Sequence, residues 1–225
     1  MKNKSNKKIY LSAPFLKKNE KKYVLDAVKT GWVSTSGKYI NLFENEITKI
    51  TKSNHAIACI NGTSALHIAL KLMGVNEGDE VLVPSITFIA PINAVKYVNA
   101  NPIFFDADKY HNINLDDVKK FIEQYTYFKN NKTYNKKTKK QISAIVIVHV
   151  WGNAVDLKKI IPFLKKKNIR IIEDASESLG TTTKNNKNLH TGIAGDIGCI
   201  SFNANKIATS GGGGAIITNN LKIAK

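Results

Sequence analysis

From residue 55 onward, short apolar runs alternate with stretches of helical periodicity: HAIACI, then TSALHIALKLM, then DEVLVPS, then a segment around NAVKYV, then PIFFD. Such alternation is the signature of βαβ units, which build a mainly parallel sheet with helices on both faces. Further strands are expected at AIVIVHV (144–150), IRIIED (169–174), CISFN (199–203) and GAIITN (214–219). Between the first two of these lies DLKKIIPFLKKK, a helix that its proline is expected to perturb. The fold class read from the pattern is α/β.

Ahead of the sheet, NEKKYVLDAVKTG reads as an amphipathic helix closed by Gly31, and KYINLFENEITKIT as a second. The division is therefore 1–54 as an N-terminal helical arm on the substrate side, serving as lid or dimer arm, and 55–225 as the main domain. Residues 125–142 carry lysines and asparagines with little apolar periodicity, and read as an inserted surface loop or hairpin.

Composition narrows the class. A chain of 225 residues with 43% hydrophobic residues can bury a sizeable core. A net charge of +17 raises the question of nucleic acid. Yet Arg170 is the sole arginine, whereas arginine is the usual tool for reading bases and phosphates. Clusters such as Lys17, Lys18, Lys21 and Lys22 read as solvated surface, and no nucleic-acid partner is expected. Cys59 and Cys199 lie in apolar runs without metal-ligand spacing and read as core residues, so no metal is expected. The basic start MKNKSNKKIY is followed by no apolar signal region, and no run approaches the ~18 apolar residues of a membrane span. A soluble cytoplasmic protein is the expectation.

Three stretches could carry chemistry. NGTSALHIAL (61–70) opens a helix after a strand, where Gly62, Thr63 and Ser64 could cradle a phosphate or simply cap the helix. IRIIEDASESLG (169–180) ends a strand at Asp174, where ligands of open α/β sheets gather, with Glu177 three residues on. The acid could hold a cofactor cation or serve as a helix cap. Lys206, in SFNANKIATSGGGG (201–214), follows another strand end and could attack an aldehyde or be a solvent-facing loop lysine. The glycines after it leave room for a ligand or form a hinge, and match no Walker loop. A phosphate cradle, an acid and a lysine at successive strand ends are together what a pyridoxal phosphate site requires. The alternatives are a nucleotide-binding oxidoreductase domain, which should show GxGxxG where this chain has NGTSA, and a basic nucleic-acid-binding module.

GTSALHIAL, PSITF, EDASESLG, GDIGCISF and NKIATSGGGGAI, in this order, resemble the DegT/DnrJ/EryC1/StrS sugar aminotransferases, over about Leu11 to the end of the chain. DASESLG, the lysine-rich insert and the NKI-GGGG run look most like the branch aminating 4-keto-6-deoxy nucleotide sugars for legionaminic acid and related surface sugars. The resemblance implies the large domain of a fold type I pyridoxal phosphate enzyme, with a mixed sheet. It makes Lys206 the Schiff-base lysine and Asp174 the partner of the pyridine nitrogen. It places Gly62, Thr63, Ser64 and Ser201 at the phosphate, Phe88 stacked on the ring, and Glu177 where many members have Gln near the phenolic oxygen. His149 falls at a neighbouring strand end. Related dehydratases carry histidine in place of the lysine, so Lys206 points to transamination, with an amino-acid donor such as glutamate and a nucleotide-sugar acceptor. Family members work as dimers and continue into a small C-terminal domain. This chain is therefore expected to be an N-terminal portion with little activity alone.

Overall fold

The computed structural model describes residue 8, residues 10–183 and residues 188–225, without the side chain of Lys18; most of MKNKSNKKIY lies outside the described residues. Two helices lead the chain, α1 (Lys18–Thr30) and α2 (Lys38–Thr51). Alternation then runs β1 (His55–Cys59), α3 (Gly62–Leu72), β2 (Glu80–Pro84), α4 (Ile89–Tyr97), β3 (Asn101–Phe105) and α5 (Leu115–Tyr125). Next come β4 (Thr126–Lys129), β5 (Lys132–Asn135), β6 (Gln141–Val148), α6 (Ile160–Lys166) and β7 (Arg170–Asp174). The last elements are β8 (Thr182–Thr183), β9 (Leu189–His190), β10 (Ile197–Ser201), β11 (Gly214–Thr218) and α7 (Leu221–Ala224).

The main sheet runs β1-β11-β10-β7-β6-β2-β3. From β10 to β3 all neighbours are parallel; β11 is antiparallel to both β10 and β1. Strand β1 therefore points the same way as β10, and the carboxyl ends of β1, β2, β6, β7 and β10 share one edge. That edge is where ligands of open α/β sheets bind.

Both sheet faces are buried, which explains the near-continuous apolar strands. Val81, Val83, Val146 and Ile172 face Ala65, Leu66 and Leu70 of α3 and Ala94 of α4. Alternating with them, Leu82, Ile145, Ile147 and Ile171 face Val118 and Ile122 of α5 and Leu164 of α6. Helix α2 covers the β1/β11 end of this second face through Ile47 and Phe43, whose ring meets Phe202 edge to face at 4.9 Å. The second leading helix is thus built into the core, whereas α1 leaves Tyr23, Val24, Leu25 and Val28 exposed. Cys199 is fully buried and Cys59 half-buried.

Pro162 shortens the helix expected over residues 156–167. It sits in the first turn of α6, where a missing N–H breaks no intrahelical bond. Residues 125–142 form a hairpin rather than an unstructured insert. Asn130 and Asn131 both take left-handed backbone between β4 and β5, the pairing a tight hairpin turn requires, and β5 pairs with the start of β6 at Gln141 and Ile142. Among the described residues, no helix is long and apolar enough to cross a membrane.

Candidate active site

The strand ends converge on a cavity of about 510 Å³. Its floor is the start of α3. Asn61 caps this helix, its Oδ1 accepting the Ser64 N–H at 2.7 Å; Ser64 itself is not among the residues lining the cavity. A side chain on Gly62 would place Cβ 2.8 Å from Ser201 Cβ and 3.2 Å from the hydroxyls of Ser176 and Ser201. Glycine is therefore required there, and two hydroxyls converge on the positive end of a helix, with Thr63 beside them. That combination suits an anion.

Asp174 closes β7 and is buried beside this floor. Its Oδ1 accepts the Ser176 N–H at 3.0 Å. Burial pushes its carboxyl above the ordinary carboxylate range, against the opposing pull of the Ser176 hydrogen bonds and the Lys206 charge. A cation against this carboxylate would relieve that cost.

The preceding residue, Glu173, points away from Asp174 as strand alternation demands. Its Oε2 lies 2.9 Å from His149 Nε2 and accepts the Gly192 N–H at 3.0 Å, while Oε1 accepts the Gly195 N–H at 2.6 Å. His149 Nδ1 accepts the Val155 N–H at 3.1 Å, so Nε2 carries the proton that faces Glu173. His149 thus lines the cavity with both ring nitrogens occupied.

Lys206 stands in the turn after β10. Its Nζ is 3.0 Å from Glu177 Oε1 and 5.8 Å from the centre of the Phe88 ring, which lies open at the cavity mouth. Glu177 Oε2 accepts the Trp151 N–H at 3.0 Å. Gly214, the last of the glycine run, has a packing cause. A Cβ on Gly214 would lie 2.8 Å from the Gly62 amide nitrogen and inside the Asn61 carbonyl, so β11 can pass the floor only as glycine.

Of the residues singled out by sequence, Gly62, Thr63, Phe88, Asp174, Glu177, Ser201 and Lys206 surround this one cavity, and Ser64 does not. Three further lining residues escape a reading of the sequence. Ser176 sits inside the DASES stretch, masked by its acidic neighbours. Thr87, in PSITF, has a buried hydroxyl with no hydrogen-bond partner among the described residues. Trp151 carries no sequence signal at all. The converging hydroxyls, the helix start, the unrelieved Asp174 and this orphan hydroxyl fit a phosphate-bearing ring with a cationic nitrogen.

The sequence profile of the DegT/DnrJ/EryC1/StrS aminotransferase family matches residues 14–225. The chain belongs to this family. It is 40% identical to a GDP-perosamine synthase of Caulobacter vibrioides over 96% of the chain and 54% of that protein. A second GDP-perosamine synthase, of Escherichia coli O157:H7, is 38% identical over 92% of the chain and 52% of its own length. The solved aminotransferase of Psychrobacter cryohalolentis superposes with a TM-score of 0.81 at 30% identity, over 96% of this chain and 51% of that one. The chain thus spans about half the length of these relatives, and the α/β aminotransferase fold implied by the resemblance is the fold observed.

Proposed function

We propose that this chain binds pyridoxal phosphate through Lys206 and Asp174 and serves the transfer of an amino group to the keto carbon of a 4-keto-6-deoxy nucleotide sugar. The carrying observation is that Lys206 Nζ, the buried Asp174 carboxylate and the start of α3 all face one cavity. The family and the relatives named GDP-perosamine synthase support the nucleotide-sugar class.

The Gly62 and Thr63 amides and the Ser176 and Ser201 hydroxyls would hold the phosphate against the positive end of α3. Asp174 would keep a proton on the ring nitrogen, its own burial making the charged pair mutually favourable. Phe88 would cover the ring from the mouth side. When bound, the group supplies an electron sink that lets a proton leave the carbon bearing the amine. Lys206, the lysine among the residues lining the cavity, would be the group that takes up and returns this proton. An amino acid such as glutamate would give up its nitrogen in the first half, and the sugar carbonyl would receive it in the second.

The test is stoichiometric rather than kinetic. Chain loaded with pyridoxal phosphate is mixed with one equivalent of glutamate and then with a 4-keto-6-deoxy nucleotide sugar, and products are read by mass spectrometry. The proposal expects one equivalent of 2-oxoglutarate and one of amino sugar, both lost in Lys206→Ala. Oxoglutarate without amino sugar rejects the substrate assignment; neither product rejects the activity.

A further inference from the structure

Each oxygen of Glu177 is committed. Oε1 faces the Lys206 ammonium at 3.0 Å and Oε2 accepts the Trp151 amide at 3.0 Å. The lysine side chain is 12% exposed and the glutamate 33%, so the pair lies mostly out of water. Trp151 occupies left-handed backbone at φ 51°, a conformation costly for a bulky residue that persists only when its surroundings impose it. Trp151 is 69% exposed on the cavity rim, its indole edge-on to His111, which is also left-handed. One carboxylate therefore holds both the reactive amine and a strained rim.

An amide could not do this. Glutamine offers one acceptor oxygen, and its NH2 group would face either the ammonium or the Trp151 N–H, donor against donor. Two donors on opposite sides of one side chain call for a carboxylate, which accounts for Glu at a place where the resemblance implies Gln toward the cofactor.

We propose that Glu177 is a positioning residue that couples the charge of Lys206 to the Trp151 rim. While Lys206 is an ammonium, it anchors Glu177, and Glu177 anchors the rim. Removing that charge frees Oε1, leaves the carboxylate held by the Trp151 amide alone, and loosens the rim at the mouth through which substrate must pass. The inference rests on Lys206 being the reactive lysine of the proposed function, but its test needs no cofactor.

In cofactor-free chain, trace labelling with acetic anhydride at one fixed pH compares Lys206 with the exposed Lys71. In a Trp32→Phe background, acrylamide quenching isolates Trp151. Glu177→Gln should raise the Lys206/Lys71 labelling ratio several-fold and make Trp151 more quenchable, and Glu177→Asp should restore part of both. Lys206→Met, which leaves Glu177 intact, should also raise Trp151 quenching. An unchanged labelling ratio, or quenching unmoved by Lys206→Met, overturns the coupling. Should Glu177→Gln raise all lysines together, it has lost its fold, and quenching in Lys206→Met then decides alone: a rise supports the coupling and no rise overturns it. Failure of wild-type chain to attach pyridoxal phosphate would instead overturn the functional reading, leaving these two measurements to judge the bridge.

Discussion

Removing the Glu173 carboxylate should be among the most damaging single changes outside the hydrophobic core. Glu173 and His149 are each 1% exposed, and the carboxylate satisfies three donors: His149 Nε2, Gly192 N–H and Gly195 N–H. Glu173→Ala strands all three. Each buried donor left unsatisfied costs about 1–3 kcal/mol, and with partial relaxation the three together should cost about 3–5 kcal/mol. For a chain of 225 residues, at about 2–4 °C per kcal/mol, the melting temperature should fall by about 6–20 °C. Glu173→Gln should still cost about 2–3 kcal/mol, since its NH2 must face a donor. His149 cannot yield by moving its proton, because Nδ1 already accepts the Val155 N–H. The pH dependence follows with a definite sign. Burial pushes the Glu173 carboxyl up, but the hydrogen bonds from His149 and the two glycine amides outweigh it and hold it below its ordinary 4.5. Its stabilisation is then present above that ordinary value and lost as pH falls through the lower native one. Urea unfolding at neutral and acid pH measures both effects. Glu173→Gln within about 0.5 kcal/mol of wild type at neutral pH, the range of an ordinary surface change, would refute the reasoning.

Asp174→Asn should leave the cofactor-free chain equally or more heat-stable at neutral pH, because burial raises the native carboxyl and charging it there costs stability. That cost disappears as pH falls through the window between its raised native value and the ordinary 3.8, so thermal melts of the two proteins should converge in acid. With pyridoxal phosphate added, the wild type should gain more melting temperature than Asp174→Asn, the ligand stabilising whichever form binds it more tightly. Gly214→Ala should cost about 1–3 kcal/mol by driving a methyl into the Asn61–Gly62 turn, whereas Gly212→Ala, which meets open space, should cost far less; chemical denaturation distinguishes them.

Much of this architecture is legible because doubly buried parallel strands write themselves as apolar runs, and the chemistry-bearing residues follow those runs directly. Asp174 is the last residue of β7, and Lys206 comes five residues after β10 ends at Ser201, so locating the strands locates both. What stays hidden depends on contacts across the sequence. Glu173 reads as one more acid beside Asp174; only the placement of His149, Gly192 and Gly195 gives it a separate duty. The glycine run suggests room for a ligand, whereas Gly214 answers to the backbone of Asn61, a neighbour 153 residues earlier that β11 meets by running antiparallel to β1. Ser64 looks like a phosphate donor because capping and anion binding use the same residue types; in the structure its amide donates to the Asn61 side chain. The lysine-rich segment reads equally well as loop or hairpin because it pairs only with the first residues of β6 and shows little apolar alternation.

The measurement that bears most directly on the central claim is the site of covalent attachment of pyridoxal phosphate. Folded chain is incubated with the cofactor, reduced with borohydride, digested and mapped by mass spectrometry beside Lys206→Ala. One dominant reduced adduct is expected on Lys206, and the visible absorbance seen before reduction should be lost in the variant although many exposed lysines remain. Adducts spread over surface lysines in proportion to exposure, or equal labelling of Lys206→Ala, would contradict the claim.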